Sequence, residues 1–330
     1  MMEKASFRKA FAEAMVECGA KNSNVVVLVA DVSSSVMTEY FAEKFPQRFF
    51  NLGIQEAGMV DTAVGFALAG MIPFANTFAG LFLRTVEQIR TCVAYARTNV
   101  KLMGGYSGVS AFKDGPTHHA IMDVAVMRAM PNLTVLAPAD ATEVKKILPL
   151  VVEYDGPVYV RISRAETPVV FDDTHKVEIG KGVLLQDGSD VTLIGSGVMV
   201  ARCLEAAKIL ANEGIDAQVI NIHTIKPLDA SMLQEAAEKT GAIVTAEEHS
   251  IIGGLGSAVG EVLGERCPVP FERVGILDIF TETALDYESL LDHCGLGVKD
   301  VVKAARRAIK RKKGRKNGIN RWRSNQGVSH

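Results

Sequence analysis

Glu56 is the residue whose surroundings most strongly indicate chemistry. It lies in the stretch NLGIQEAGM, after a short strand and a glycine turn and at the start of an apolar helix. A carboxylic acid in apolar surroundings resists ionisation, so we expect Glu56 to stay protonated near neutral pH and to share a proton with a ligand nitrogen. The alternative interpretation is an acidic residue that only stabilises the dipole of its helix.

A second segment, GGYSGVSAFKDGPTHHAIMD (residues 104–123), brings together an aspartate and two histidines. Asp114 precedes a Gly-Pro turn, and His118 and His119 follow it at a predicted helix start. Adjacent histidines lack the i, i+4 spacing of a helical zinc pair, so we predict no metal ligands in this chain. His118 is interpreted as a hydrogen-bond donor or general acid/base that faces a pocket, with a helix cap as the alternative. For His119 the structural interpretation is favoured.

A third segment, VYVRISRAETP, places Arg161 and Arg164 at the end of the last strand of the first half. Ligands of open α/β sheets collect at the carboxyl ends of strands, and a guanidinium group suits a phosphate. A pair of interdomain salt bridges is the equally weighted alternative. By contrast, the EEH of EEHSIIGGLG (Glu247, Glu248 and His249) is typical of a tight strand-to-helix connection.

Two halves, in which strands and helices alternate, must position these residues. The runs VVVLVAD (25–31) and VTLIGSG (191–197) are typical of parallel strands that are buried on both faces. We therefore predict the α/β class, with two consecutive domains that each contain a mostly parallel sheet with helices on both faces. One of the predicted helices spans 79–97. The predicted divisions are a first domain at 1–168, a linker at 169–187, a second domain at 188–311 and a basic, flexible tail at 312–330.

Composition narrows the class of protein. The formal net charge of −2 over 330 residues gives no indication of a nucleic-acid partner. Five scattered cysteines without a CxxC pair are typical of reduced thiols in the cytoplasm. No run approaches the roughly 20 apolar residues that span a bilayer, and the N-terminus lacks the apolar core of a signal peptide. We expect a soluble cytoplasmic protein without a membrane or nucleic-acid partner.

The chain also has no GxxxxGK[ST] loop and no GDG followed by a metal-binding asparagine segment, so nothing in it predicts a diphosphate and Mg²⁺ site.

Together these segments resemble the C-terminal half of a transketolase, specifically the second subunit of a split, two-chain transketolase. The motifs NLGIQEAGM, ANTFAG, KDGPTHHAIMD, RAMPNLTVLAPADATE and the SR of RISRAETP follow in the family's order, and the resemblance covers residues 4–310. It implies a pyrimidine-binding domain followed by a transketolase C-terminal domain. It also implies transfer of a two-carbon ketol unit between phosphorylated sugars, as in pentose phosphate metabolism.

The resemblance further implies thiamine diphosphate as the cofactor. Glu56 matches the glutamate that hydrogen-bonds N1′ of the aminopyrimidine and drives the ring to its imino tautomer. Phe78 matches the aromatic residue that stacks on this ring, and Asp31 matches an aspartate on the cofactor side. Leu81 stands where many transketolases have a second aromatic residue.

The substrate site is implied in the same way. Asp114 and His118 match the pair that contacts sugar hydroxyls and assists proton transfer, so His118 joins Glu56 as a candidate catalytic residue. The cluster that holds the substrate phosphate matches Arg8, Ser35 and Arg164, with Arg161 as a further candidate beside it.

Tyr106 departs from the family pattern. Family members usually have a histidine at this place, eight residues before the aspartate of DG-x-TH. A phenol donates a hydrogen bond but is a much weaker base than imidazole near neutral pH. We therefore expect the acceptor pocket to differ in this chain, with Tyr106 as one of its substrate-binding residues.

Partners follow from what the chain lacks. The resemblance implies an N-terminal transketolase subunit that carries the diphosphate site with Mg²⁺ (or Ca²⁺), in a heterotetramer whose C-terminal subunits also associate through both of their domains. A 1-deoxyxylulose-5-phosphate synthase-like subunit and the β subunit of a 2-oxo acid dehydrogenase are the alternative enzymes. A non-catalytic regulatory subunit would be expected to lose Glu56 or His118, and both are present.

Overall fold

Apolar strands form the central sheet of the first domain. The computed structural model describes the backbone of residues 3–325 and the side chains of residues 3–314. The strands of the first half are β1 (Lys4–Ser6), β2 (Val25–Val29), β3 (Phe49–Asn51), β4 (Ile72–Phe78), β5 (Lys101–Gly105), β6 (Thr134–Leu136), β7 (Val158–Ile162) and β8 (Glu166–Pro168). Strands β2 to β7 pair in parallel in the order β6-β7-β5-β4-β2-β3, whereas β1 and β8 form a separate antiparallel ribbon. Every residue of β2, β5 and β7 is buried, as expected for parallel strands that helices cover on both faces.

The covering helices are α1 (Phe7–Lys21), α2 (Ser33–Val36), α3 (Glu39–Lys44), α4 (Glu56–Leu68), α5 (Val86–Gln88), α6 (Asp123–Ala129) and α7 (Ala141–Glu153). The single helix predicted over 79–97 is wrong: the segment contains a 3₁₀ turn at Leu81–Thr85, then α5, then a π-helix at Ile89–Tyr95. The hydroxyl of Thr85 donates to the carbonyl of Phe82, and such local bonds compete with the regular helical ladder.

The second domain repeats the architecture with its own sheet. Its strands are β9 (Val183–Gln186), β10 (Val191–Gly195), β11 (Ala217–Asn221), β12 (Thr224–Lys226), β13 (Ile243–Ser250) and β14 (Phe271–Ile276). The order is β14-β13-β10-β11-β9, in which only the edge strand β9 runs antiparallel. Its helices are α8 (Met199–Ala211), α9 (Ala230–Thr240), α10 (Leu255–Arg266), α11 (Tyr287–His293) and α12 (Val298–Asn325). The predicted α/β class, with two such domains in succession, is confirmed.

One strand of the second half belongs to the sheet of the first domain. Strand β12 pairs antiparallel with β6, with Thr224 opposite Leu136. Sheet hydrogen bonds therefore join the two halves, which a sequence pattern with two separate repeats does not predict.

The connecting and terminal segments carry more structure than their composition predicts. Within 169–187, the N–H groups of Val170 and Phe171 donate to Asp140 at 2.6 and 2.8 Å, and β9 joins the second sheet. The predicted flexible tail begins inside α12, where Lys312 donates to the carbonyls of Asp190 and Thr240. The helix continues to Asn325, and residues 326–330 lie outside the described part of the chain. None of the helices in the described part of the chain combines the length and the apolar character that spanning a bilayer requires.

Candidate active site

The candidate site lies at the carboxyl edge of the first sheet. Asp31 follows β2, Phe78 ends β4, Tyr106 follows β5 and Arg164 follows β7. Because the carboxyl ends of parallel strands lie at one edge of the sheet, these four residues share that edge although they are far apart in sequence.

Glu56 is buried at the start of α4, with 4% of its surface exposed. Its Oε2 lies 3.6 Å from Nη1 of Arg84, a residue on the 3₁₀ turn after β4. Its Oε1 is buried and has no hydrogen-bond partner among the residues described. A buried carboxyl oxygen without a partner is costly, so this atom is suited to a ligand group. Arg84 was not predicted, and its only signal in the sequence is that it is the single cation in the apolar turn GLFLR.

Asp31 is held in place by Asn51. The aspartate adopts a left-handed backbone conformation (φ 58°) and is exposed. Its N–H donates to Oδ1 of Asn51, and Nδ2 of Asn51 donates to its carboxylate, both at 3.1 Å. Asn51 was not predicted, although it directly precedes the glycine turn that leads to Glu56.

An aromatic pair lies at the same edge of the sheet. The rings of Phe78 and Tyr106 stack with centroids 4.1 Å apart and planes inclined by 21°. Leu81 packs against the same small cluster, and the His118 ring lies 6.0 Å from the Phe78 ring. Stacking of Phe78 on a cofactor ring stays a prediction; in this structure its ring contacts Tyr106.

Two arginines converge on the Tyr106 ring. The guanidinium carbon of Arg164 lies 4.9 Å from its centroid, and that of Arg8 lies 5.6 Å away. Arg164 also donates to Asp114 at 2.9 Å, whereas Arg8 donates to the backbone carbonyl of Ser35. The Nε of Arg8 is buried without a partner in the part of the chain described. Two cations beside one ring are suited to an anionic ligand group.

The two histidines lie in a loop, and the predicted helix start at these residues is wrong. We call residues 106–120 the active-site loop. Helix α6 begins only at Asp123, because the backbone of Ala120 turns back to pair with Gly108. His118 is half-buried, with Nδ1 3.2 Å from the hydroxyl of Thr117.

His119 faces the second domain. Its Nδ1 is hydrogen-bonded to the hydroxyl of Thr281. Burial lowers the pKa of His119, so this imidazole is neutral at pH 7. The contact supports the structural interpretation of this residue.

The structure places the Arg161 guanidinium in the interior, where protein groups bind it, and this argues against its predicted place in the substrate site. It is buried, and Nε donates to Asp123 at 2.9 Å. Its Nη2 donates to the backbone carbonyls of Ala120 and Glu248. Burial opposes the charge of Arg161, but Asp123, Tyr159 and Glu248 together outweigh it and raise the pKa of Arg161 above its ordinary value. Its ion pair with Asp123 lies within the first domain, so the alternative of an interdomain salt bridge is not found for this arginine, although its hydrogen bond to the Glu248 carbonyl reaches the second domain.

Glu248 contacts the active-site loop from the second domain. This residue of β13 is buried, and its Oε1 accepts the N–H of Val109 at 2.8 Å. Burial raises the pKa of Glu248 to about 7, against the opposing effect of the Arg161 guanidinium.

The stability of the protein is expected to depend on the ionisation of Glu248. Its pKa rises from an ordinary 4.5 to about 7 on folding. Between these values the folded protein binds more protons than the unfolded chain, so the stability due to this residue falls as pH rises through 7. In E248Q, glutamine cannot ionise but can still accept the Val109 bond. Relative to wild type, this variant should gain up to about 3 kcal/mol of unfolding free energy between pH 5 and pH 8. Urea unfolding at both pH values measures this gain, and an equal difference at the two values would contradict it.

Comparison with known families identifies the fold. Residues 3–169 match the transketolase pyrimidine binding domain, and residues 180–301 match the transketolase C-terminal domain. The chain belongs to the transketolase family. It resembles the second chain of split transketolases, as the sequence motifs predict, over nearly its whole length.

Three proteins are similar to this transketolase-family chain over most of its length. A 6-deoxy-6-sulfo-D-fructose transketolase subunit, SqwH, from Clostridium sp. is 40% identical over 94% of this chain and 97% of the relative. An apulose-4-phosphate transketolase subunit from Phocaeicola vulgatus is 36% identical over 92% of this chain and 97% of the relative. A solved structure described as a split gene transketolase, inactive beta4 tetramer, is 43% identical with a TM-score of 0.86, covering 94% of this chain and 100% of that one.

The pyrimidine-binding domain of this transketolase-family chain implies thiamine diphosphate as a cofactor. An aminopyrimidine ring offers a ring nitrogen, and the buried, unpartnered Oε1 of Glu56 is suited to bind it. The residues present therefore fit the ring end of that cofactor. Within the described residues, no group of three or more His, Cys, Asp or Glu side chains could hold a metal ion.

Proposed function

We propose that this chain is the C-terminal subunit of a split transketolase that transfers a two-carbon ketol unit between phosphorylated sugars. The observation that carries the proposal is the buried Glu56, whose free Oε1 lies at the same sheet edge as the paired arginines Arg8 and Arg164. The Glu56 carboxyl suits a cofactor ring, and the two guanidinium groups suit the anionic end of a sugar.

Each side chain has a defined task in this proposal. Bound thiamine diphosphate supplies the carbon nucleophile that accepts the two-carbon unit. Glu56 holds the aminopyrimidine nitrogen and exchanges a proton with it through Oε1, while Phe78 and Leu81 provide the apolar wall. His118 donates or accepts a proton at a sugar hydroxyl, and Asp114 accepts a hydrogen bond from one.

Three further residues complete the proposed site. Asp31 lies on the cofactor side, fixed by Asn51. Tyr106 takes the place of the usual histidine, and its ring holds Arg8 and Arg164 beside it. Ser35 contributes its backbone carbonyl to Arg8.

A partner chain is required in this proposal. We place the diphosphate group and Mg²⁺ (or Ca²⁺) on an N-terminal transketolase subunit, with both kinds of subunit in a heterotetramer in the cytoplasm. The free state of all five cysteines supports a reducing compartment. Co-expression with the candidate partner, followed by an assay of ketol transfer with and without thiamine diphosphate, tests the proposal. A complex that forms but transfers no ketol unit from any sugar would contradict it.

A sulfonated sugar is the second candidate substrate. It is favoured by the 40% identity to a subunit named for 6-deoxy-6-sulfo-D-fructose. A sulfonate and a phosphate are both tetrahedral anions that two guanidinium groups can bind, so the pair of arginines suits either. An assay of matched sulfo- and phosphosugars with the reconstituted complex distinguishes them by kcat/KM.

Replacing Arg164 by alanine is expected to raise KM for anionic sugars about 10- to 100-fold, since hydrogen bonds to a charged group contribute about 1.5–3 kcal/mol. KM for the same sugars without the anionic group should change less than threefold. Initial rates with both kinds of sugar provide the measurement. The control is Lys113→Ala, which removes an exposed cation from the same loop. Equal effects of Arg164→Ala on charged and neutral sugars would remove Arg164 from the anion site.

A further inference from the structure

The active-site loop depends on contacts from outside itself. It has no helix or strand of its own between β5 and α6, and its two ends meet where Ala120 donates to the carbonyl of Gly108 at 2.8 Å. Yet this loop carries Tyr106, Asp114 and His118. Its conformation therefore determines the geometry of the candidate site.

Three hydrogen bonds join the second domain to the loop within the described residues, beside a ring contact between Phe112 and Tyr287. Glu248 accepts the N–H of Val109, Ala284 donates to the carbonyl of Phe112 at 2.9 Å, and Thr281 binds His119. Ala284 and Thr281 belong to an irregular segment between β14 and α11. Of these three residues only Glu248 lies on a buried strand, so it is held more rigidly than the other two.

Glu248 lies unusually close to the loop backbone. A Cβ at Gly108 would lie 2.2–2.5 Å from the three carboxyl atoms of Glu248, and Gly108 has a left-handed φ of +62°. Only glycine therefore allows this approach. The strand itself is fixed to the first sheet, because Arg161 donates to the backbone carbonyl of Glu248 at 3.1 Å.

The groups around Glu248 leave the N–H of Val109 dependent on the Glu248 carboxyl as its hydrogen-bond acceptor. Charged and titratable neighbours are Arg161 on β7, Asp123 on α6, Tyr287 on α11 and Cys294 just after α11. Arg161 is occupied by Asp123 and by backbone carbonyls. Without the Glu248 carboxyl, the buried N–H of Val109 would lose its acceptor, which favours a shift of the loop.

We propose that Glu248 is a positioning residue, supplied by the second domain, that sets the conformation of the active-site loop and thereby the placement of His118 and Asp114. The inference rests on the proposed function for its catalytic consequence, but the contact itself can be tested without activity. A displacement of about 1 Å in catalytic groups can cost 100-fold in rate, so loss of this anchor should be visible in turnover.

The test compares Glu248→Ala with Glu248→Gln in the full chain assembled with its partner subunit. In E248A, amide exchange of peptides from 107–119 should become at least 10-fold faster, and kcat/KM for ketol transfer should fall about 10- to 100-fold. In E248Q, the side-chain oxygen can still accept the Val109 bond, so both quantities should return to within threefold of wild type. If E248A does not fold, Glu248→Asp, which shortens the reach by one methylene, takes its place.

The control is Glu247→Ala on the same strand. Glu247 is equally buried but accepts the N–H groups of Leu255 and Gly256 at the start of α10. Its loss should lower thermal stability and leave exchange in 107–119 unchanged. Unchanged loop exchange in E248A, faster exchange with normal kcat/KM, or failure of E248Q to restore both would overturn the proposal. If wild type transfers no ketol unit, the proposed function fails, and loop exchange alone decides whether Glu248 holds the loop.

Discussion

Replacing Glu56 by glutamine is expected to lower ketol transfer by the reconstituted complex about 100- to 10,000-fold, the range typical of a lost general acid/base. Glutamine has nearly the same shape and keeps an oxygen at the position of the carboxyl group, but it cannot exchange a proton with a ring nitrogen. The variant should therefore fold and assemble normally. Steady-state rates measure the loss, and calorimetric titration with thiamine diphosphate measures whether the cofactor still binds.

The matched control for this prediction is Asp61→Asn, which removes an exposed carboxylate from the same helix. It should change the rate less than twofold. If Glu56→Gln retained more than a tenth of wild-type activity with saturating cofactor, the proton role of Glu56 would be wrong, and Arg84 would be its main functional neighbour to examine next.

Replacing Arg161 by alanine is expected to lower the free energy of unfolding by about 3–5 kcal/mol, because it leaves the buried Asp123 carboxylate without its cation. Asp123 is fully buried and accepts hydrogen bonds from Arg161 and from the hydroxyl of Tyr159. The variant also removes the bond to the carbonyl of Glu248, which joins the two domains. Urea unfolding followed by circular dichroism is the measurement.

Arg164→Ala provides the contrast to this second prediction. Arg164 lies three residues later and pairs with the partly exposed Asp114, so its loss should cost less than about 1 kcal/mol of stability. The double variant Arg161→Met with Asp123→Leu removes both charges and should recover part of the loss. A cost below about 1 kcal/mol for Arg161→Ala would show that the buried pair contributes little to stability.

Patterns of neighbouring residues were sufficient to predict the buried strands of the sheets and the order in which the site residues follow along the chain. The apolar runs of β2 and β10 predict buried parallel strands because a continuous apolar sequence suits a strand that helices cover on both faces. The predicted position of Glu56 at a helix start, after a glycine turn, agrees with the first residue of α4. Short-range geometry of this kind depends on residues a few positions apart, which the sequence displays directly.

The roles of the two strand-end arginines could not be separated in the same way. Arg161 belongs to β7, whereas Arg164 follows the end of this strand, so the alternation of side chains along a strand does not relate the two residues. The sequence therefore does not show which one meets Asp123 in the interior and which one meets Asp114 of the active-site loop. That choice depends on helix α6 and on the active-site loop.

The sequence by itself therefore determined the α/β class, the resemblance to split transketolases and the presence of Glu56, His118 and the arginines. Only the tertiary structure decided that Arg84 lies beside Glu56, that β12 joins the sheet of the first domain, and that Glu248 reaches the N–H of Val109. The last contact joins residues 139 positions apart. Partners at such separations are chosen by packing of the whole chain, and no local pattern of residue types records them.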